Sequence, residues 1–356
     1  MKRILLIVLM MAAATSASLG AERDTLHMSF IGDVMAHYRQ LKVARIPGAD
    51  STKSSSYDFS SYYKYTRKWL EKSDISVANM ENPVGLAPYT GYPIFSAPES
   101  IVTETVNAGV DLLLAANNHI CDKGRRGLDS TWAVYQRTPA RYTGMWRDTM
   151  DEQMNNPAII MCRGFKIAFI NFSYGFNGFE IPAPYVLGSM DSLQVKRAIA
   201  RAKDRDADYI VALPHWGVEY NLDYSAEQRR WRDNLYRWGA DMIVGSHPHV
   251  PQAVEYKDGR ITAYSLGNFI SNMSIANGQI GILLNVSLVR NEDGTIEALP
   301  PEVIWLWCGR GGFFEENYTT IPIEEWLDRP DEFINRAQYD KMVREYTRIK
   351  QKFPQY

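Results

Sequence analysis

The chain has 356 residues, 39 Lys and Arg against 41 Asp and Glu, a formal net charge of -2 and 46% hydrophobic residues. A mildly acidic sequence with no basic block is a poor nucleic-acid binder. Its three cysteines, Cys121, Cys162 and Cys308, lie too far apart for a disulfide framework or a CxxC metal site. That count allows one disulfide with one free thiol, and buried free thiols are the simpler expectation.

Met1-Lys2-Arg3 precedes an apolar run from Ile4 to about Ala14, and small residues follow through Gly20-Ala21. That order is a basic segment, a short hydrophobic segment and a cleavage zone, so residues 1–20 read as a cleaved signal peptide. The run is short of the roughly 20 apolar residues a spanning helix needs. No cysteine sits near Ser18 or Gly20 to take a lipid. The expectation is a secreted or periplasmic protein whose net charge falls to about -4 once Lys2 and Arg3 are removed. No linker or repeat divides what remains. Residues 21–308 are expected to form one large α/β domain, with 309–356 a mostly helical C-terminal extension.

Leu26–Ile31 predicts a strand ending at Gly32-Asp33, and Tyr57–Lys72 has the aromatic and apolar spacing of a helix. Ile75–Ala78 is a strand that stops at Asn79, and Pro98–Ala108 a helix stopped by Gly109. Val110–Ala116 is a continuous apolar run, as expected of a strand buried on both faces. Leu128–Arg137 is helical. Lys166–Phe172, Tyr209–Leu213, Met242–Val244 and Ile261–Ser265 are strands, with helices over Leu193–Asp204 and from the capping box Ser225-Ala-Glu-Gln228 to Trp238. Gly278–Arg290 and Glu302–Trp307 read as antiparallel strands, and Glu324 to about Phe353 as mostly helix. This alternation implies a largely parallel sheet covered on both faces, with ligands bound at the carboxyl ends of its strands.

The chemistry-bearing residues follow those strand ends. Asp33 is a candidate carboxylate ligand, and a turn-capping Asp is the bland reading. Glu81, in Asn79-Met80-Glu81-Asn82-Pro83, can bind or bridge metals. Asn118 is a modest oxygen ligand, His119 a candidate general acid, and Asp122 the carboxylate that orients it. His215 is a ligand candidate, with Glu219 four residues on as an acceptor for an imidazole or a substrate contact. His247-Pro248-His249 is the strongest local signal, two imidazoles that an extended segment can point into one cleft. Asn268 is a candidate to bind substrate or hold its loop, and His37 a weaker ligand candidate.

Taken in order, these blocks resemble the CapA family of capsule or poly-γ-glutamate synthesis proteins. The matching motifs are Gly32-Asp33-x-Met35, Asn79-x-Glu81-x-Pro83, Asn117-Asn118-His119-x-x-Asp122-x-Gly124, His215-Trp216-Gly217-x-Glu219-Tyr220, Gly245-x-His247-Pro248-His249-Val250-x-Gln252 and Tyr264-Ser265-Leu266-Gly267-Asn268-Phe269. That family looks like a branch of the calcineurin-like metallophosphatase superfamily, which implies a β-sandwich flanked by helices in α-β-β-α layers. The resemblance implies one or two divalent ions (Mn, Fe or Zn). Glu81 would bridge them, with Asn118, His215 and His247 on one side and Asp33 and His249 on the other. The superfamily usually has a histidine two residues after its first aspartate, where this chain has Met35, a poor ligand for a hard ion.

Two functions follow from these readings. One is a metal-dependent hydrolase or transferase acting on an anionic envelope polymer or its precursor, with His119 as general acid. The other is a non-catalytic polymer-binding accessory protein for synthesis or export, working beside membrane-bound polymer-synthesis proteins. A barrel amidohydrolase is weaker, since it would place its His-x-His after the first strand.

Overall fold

The computed structural model describes residues 24–312 and 314–355, so the signal-peptide segment lies outside the described residues. Among the described residues the strands form two large sheets. The first runs Thr319–Pro322, Glu302–Gly309, Ile280–Arg290, Thr25–Val34, Ile75–Met80, Leu112–Leu114, Arg141–Thr143, with Asn268–Ile270 also paired to Thr25–Val34. The second runs Val254–Lys257, Arg260–Ala263, Met242–Val244, Tyr209–His215, Phe165–Ser173, Ala158–Cys162.

Alternation along the strands explains the layers. Ile167 and Phe169 enter the core between the sheets, while Ala168 and Ile170 pack outward. Val211 and Leu213 likewise face inward against Ile210 and Ala212 outward. A strand with both faces apolar must be covered twice. The inner faces cover one another, with Met28, Phe30 and Val77 of the first sheet in the same cluster as Phe169, Val211 and Met242 of the second. Leu128 and Val134 of the helix Gly124–Arg137 cover the outside of the first sheet. Val195 and Ile199 of the helix Ser192–Asp204, and Leu235 of the helix Ala226–Trp238, cover the outside of the second. The layers are therefore α-β-β-α.

Three expectations change. One largely parallel sheet becomes two sheets, and Thr25–Val34 pairs antiparallel with Ile280–Arg290 on one side and parallel with Ile75–Met80 on the other. The helix expected over Tyr57–Lys72 is two separate pieces, a 3-10 turn at Ser60–Tyr63 and a short helix at Arg67–Leu70. Its spacing reflects Tyr62 and Tyr63, which are fully buried from within that tight turn. The boundary at 308 falls inside the strand Glu302–Gly309, and the next strand, Thr319–Pro322, pairs with it. The helix Arg336–Lys352 then sends Met342, Tyr346 and Ile349 into the inter-sheet core, where Phe353 stacks on Trp305 at 6.4 Å.

Candidate metal centre

Each sheet delivers half of one site. The first sheet supplies Asp33 at the end of Thr25–Val34, Glu81 just after Ile75–Met80, and Asn118 and His119 in the loop after Leu112–Leu114. The second supplies His215, the last residue of Tyr209–His215, and His247 and His249 after Met242–Val244. Registers Asp33↔Asn79 and Asp33↔Asn268 bring two asparagines level with the aspartate. All six proposed ligands are at most 2% exposed.

Glu81 lies at the centre. Its Oε1 is 3.6 Å from His215 Nε2 and 3.5 Å from His249 Nε2. Two donor sets share it, Asp33-Glu81-His215 and Glu81-His247-His249, with the ligand atoms of each within 4.8 Å of one another. These sets cut across the division the resemblance implies, while two close pairs lie within it. Asn118 Oδ1 is 2.9 Å from His215 Nε2, and His249 Nδ1 is 3.2 Å from Asp33 Oδ2.

The electrostatics call for a cation. Burial, then the charge of Asp33, pushes Glu81 well above the usual carboxylate range. Burial, then the neighbouring imidazoles, pushes His215 and His247 well below theirs, so neither serves as a counter-charge. Among the described residues Asp33 Oδ2, both Glu81 oxygens and His247 Nδ1 are buried without a hydrogen-bond partner. Lone pairs stranded in that way cost free energy that a coordinated divalent ion recovers. Carboxylate, amide oxygen and neutral imidazole together suit a divalent transition metal. The residues fit the ion.

His119 stands at the edge of this cluster, with 7% of its side chain exposed. Its Nδ1 is 2.8 Å from Asp122 Oδ2, which also accepts from the Phe95 N–H at 2.8 Å. Phe95 lies edge-on to the ring at 4.7 Å. Donation from Nδ1 to Asp122 leaves Nε2 as the nitrogen that exchanges a proton.

Some expectations shift at this level. His247 and His249 are not extended, since their φ values are 99° and 58°. The proline rule is overridden by backbone bonds that pin the turn, Tyr220 N to Pro248 O at 2.8 Å and Ser246 N to Pro214 O at 3.0 Å. Asn268 holds its loop, with Oδ1 3.1 Å from His249 Nδ1 and Nδ2 donating to Gly278 O at 2.9 Å. Glu219 is exposed beside Tyr220 at the rim and makes no described hydrogen bond to an imidazole. Trp216 is wholly buried, donating to Tyr264 O at 2.9 Å, and belongs to the core. His37 joins neither donor set. All three cysteines are free thiols.

Sequence reasoning missed four positioning residues. Asn79 donates to Asp33 Oδ1 at 2.8 Å. Ser246 Oγ is 2.9 Å from His215 Nδ1. Asn177 Oδ1 accepts from Asn118 Nδ2 at 3.2 Å, which turns the Asn118 oxygen toward His215. Asn171, on Phe165–Ser173, accepts from Ala116 N at 2.7 Å and donates to Leu213 O at 2.8 Å, tying the two halves of the site together. Asn79 alone lay in a recognised motif.

Fold and site together define an α-β-β-α sandwich with a candidate divalent-metal centre. The family model for the bacterial capsule synthesis protein PGA_cap matches residues 27–273, and the chain belongs to that family. It is 28% identical over 291 residues to the capsule biosynthesis protein CapA of Bacillus anthracis, covering 78% of this chain and 68% of that one. It is 29% identical to the PGA biosynthesis protein CapA of Bacillus subtilis, covering 79% of this chain and 72% of that one. Among solved structures, the calcineurin-like phosphoesterase YfkN from Bacillus subtilis superposes with a TM-score of 0.43 at 15% identity, over 79% of this chain and 90% of that one. A 5'-nucleotidase from Candida albicans superposes with a TM-score of 0.44 at 12% identity, over 91% and 57%.

Proposed function

We propose that this protein acts outside the cytoplasm in capsule or poly-γ-glutamate biosynthesis, as a metal-dependent hydrolase or transferase on an anionic polymer or its precursor. The single observation behind an enzymatic reading is the His119–Asp122 pair beside the buried carboxylate of Glu81, neither of whose oxygens has a hydrogen-bond partner among the described residues. Asp33, Glu81, Asn118, His215, His247 and His249 would hold the metal, Mn, Fe or Zn. Polarisation of the scissile oxygen and an activated water are what a divalent ion supplies when bound there. Asp122 fixes the ring of His119, and His119 gives its proton to the leaving group as the bond breaks.

The accessory-protein reading takes its support from Met35 at a position where a ligand is expected. Substituting His119→Gln separates the two. In an enzyme, turnover of γ-linked polyglutamate falls by about 10²–10⁴-fold while metal content and polymer binding persist. Equal processing by variant and wild type removes the acid role. Wild-type protein that loads metal and binds polymer but never processes it establishes the accessory role.

A further inference from the structure

The short helix Tyr38–Ala44 starts at the wall of the metal centre, because its N-cap is His37. His37 packs edge-on to Phe95 at 5.2 Å, and Phe95 packs on His119 at 4.7 Å. Beyond that wall the same helix borders a groove of about 430 Å³ lined by Tyr38, Lys42, Arg45, Tyr57 and Tyr89 among others. Two segments therefore run from the site to the groove. One is the helix. The other is the loop Tyr89 to Phe95, which carries a groove aromatic at one end and a site aromatic at the other. Gly91 lets the two touch, since a Cβ there would lie 2.1 Å from Tyr38 N.

Tyr38 and Lys42, at i and i+4, share one face of the helix, and Arg45 follows as its C-cap in extended backbone. All three are exposed, Tyr38 by 72%. Lys42 and Arg45 make no ion pair among the described residues. Tyr57 and Tyr89 meet edge to face at 5.4 Å and form an apolar wall. From Tyr38 to Ala44 the helix covers about 9 Å at 1.5 Å per residue.

We infer that this groove is a subsite for an extended polycarboxylate, holding carboxylates of the polymer next to the unit at the metal centre on Lys42 and Arg45. The inference rests on the proposed polymer reading. Two exposed cations lining one groove, an aromatic wall against the polymer backbone and continuity with the site select a long anionic chain over a small ligand.

The test uses the mature full-length protein and a fluorescein-labelled γ-linked oligoglutamate of ten residues, followed by anisotropy in low and high salt. The double variant Lys42→Gln/Arg45→Gln should bind roughly tenfold more weakly in low salt, from two exposed charge contacts. The difference should shrink in high salt through screening. Metal content should match wild type, which shows an intact centre, and a γ-glutamyl dipeptide should bind both proteins equally. Equal oligomer binding by variant and wild type overturns the groove while leaving the polymer reading in place. A wild-type protein that fails to bind the oligomer overturns the polymer reading and the subsite with it. Equal weakening for oligomer and dipeptide also overturns the subsite, since the effect then lies at the centre.

Discussion

Asn171 is where the two sheets are held in register at the site, and Asn171→Leu tests that role. The side chain is 2% exposed. Its Oδ1 takes the Ala116 N–H at 2.7 Å, and its Nδ2 reaches Leu213 O at 2.8 Å. Leucine keeps the same branched skeleton, with two bulkier methyl groups in place of the polar atoms. The stranded Ala116 donor costs about 1–3 kcal/mol, and the lost bond to Leu213 about 0.5–1.5 kcal/mol. The expected loss is about 2–4 kcal/mol in urea unfolding of metal-free protein. Ala116 leads to Asn118, and Leu213 to His215, so the change also reaches the ligands. Support of this kind is worth about 10- to 100-fold in metal affinity, measured by calorimetric titration with Mn²⁺. A loss under about 1 kcal/mol with unchanged affinity would refute the idea that Asn171 aligns the two halves.

Other substitutions probe different parts of the molecule. Glu81→Gln should abolish metal-induced thermal stabilisation, which in wild type is about 2.7 kcal/mol at one hundred times the dissociation constant; a variant that still gains it shows that Glu81 is no ligand. Burial raises the Cys121 thiol to about 12 and the Cys308 thiol to about 11, while Cys162 is half-buried. A thiol reagent at pH 8 should therefore label Cys162 alone in native protein and all three cysteines in urea, and native labelling of Cys308 would contradict the packing. Truncation after Gly309 removes the buried side chains Met342, Tyr346, Ile349 and Phe353. At about 1.5–3 kcal/mol each, their loss rivals the whole stability of a domain, so the shortened chain should not fold, and a cooperative melt would show otherwise. Titration with Mn²⁺ should give two unequal steps, the weaker assigned to the Asp33 side by its selective loss in Asp33→Asn; one step of two equal ions would contradict the asymmetry of the donors.

The site was more legible than the architecture around it. Asp33, Glu81, Asn118, His119, His215, His247 and His249 stand directly at or after strand ends, where apolar runs stop and polar residues begin, so the pattern located them. Ile167 and Phe169 face another sheet while Ala168 and Ile170 face a helix, yet all four are simply apolar in sequence. Nothing local distinguishes those covers, and one sheet was the simpler reading. Asn171 and Asn177 act through contacts 55 and 59 residues away in sequence, to Ala116 and Asn118. An isolated asparagine has no period to betray it. The turn at His247 shows the limit of local rules from the other direction. Pro248 disfavours only certain conformations of its predecessor, and hydrogen bonds from Tyr220 and Ser246 decide which one is used.

Met35 bears on how the centre divides its work. It is fully buried, and its N–H bonds to Ile270 O at 3.0 Å, so the backbone there is fixed by the neighbouring strand. His37, two residues on, stands outside both donor sets. Its Nδ1 is 3.1 Å from Gln40 Oε1 and 3.3 Å from the Asn272 N–H, and burial pushes it down to about 4. Its ring instead forms the wall that Phe95 shares with His119. On the division the resemblance implies, one side of the centre would take Asn118, His215, His247 and a share of Glu81, and the other only Asp33, His249 and the same Glu81. The richer side is adjacent to His119 through Asn118, its neighbour in sequence. On the proposed reading, the acid would sit beside the better-furnished metal position, and a weakly held second ion on the Asp33 side would leave that pairing intact.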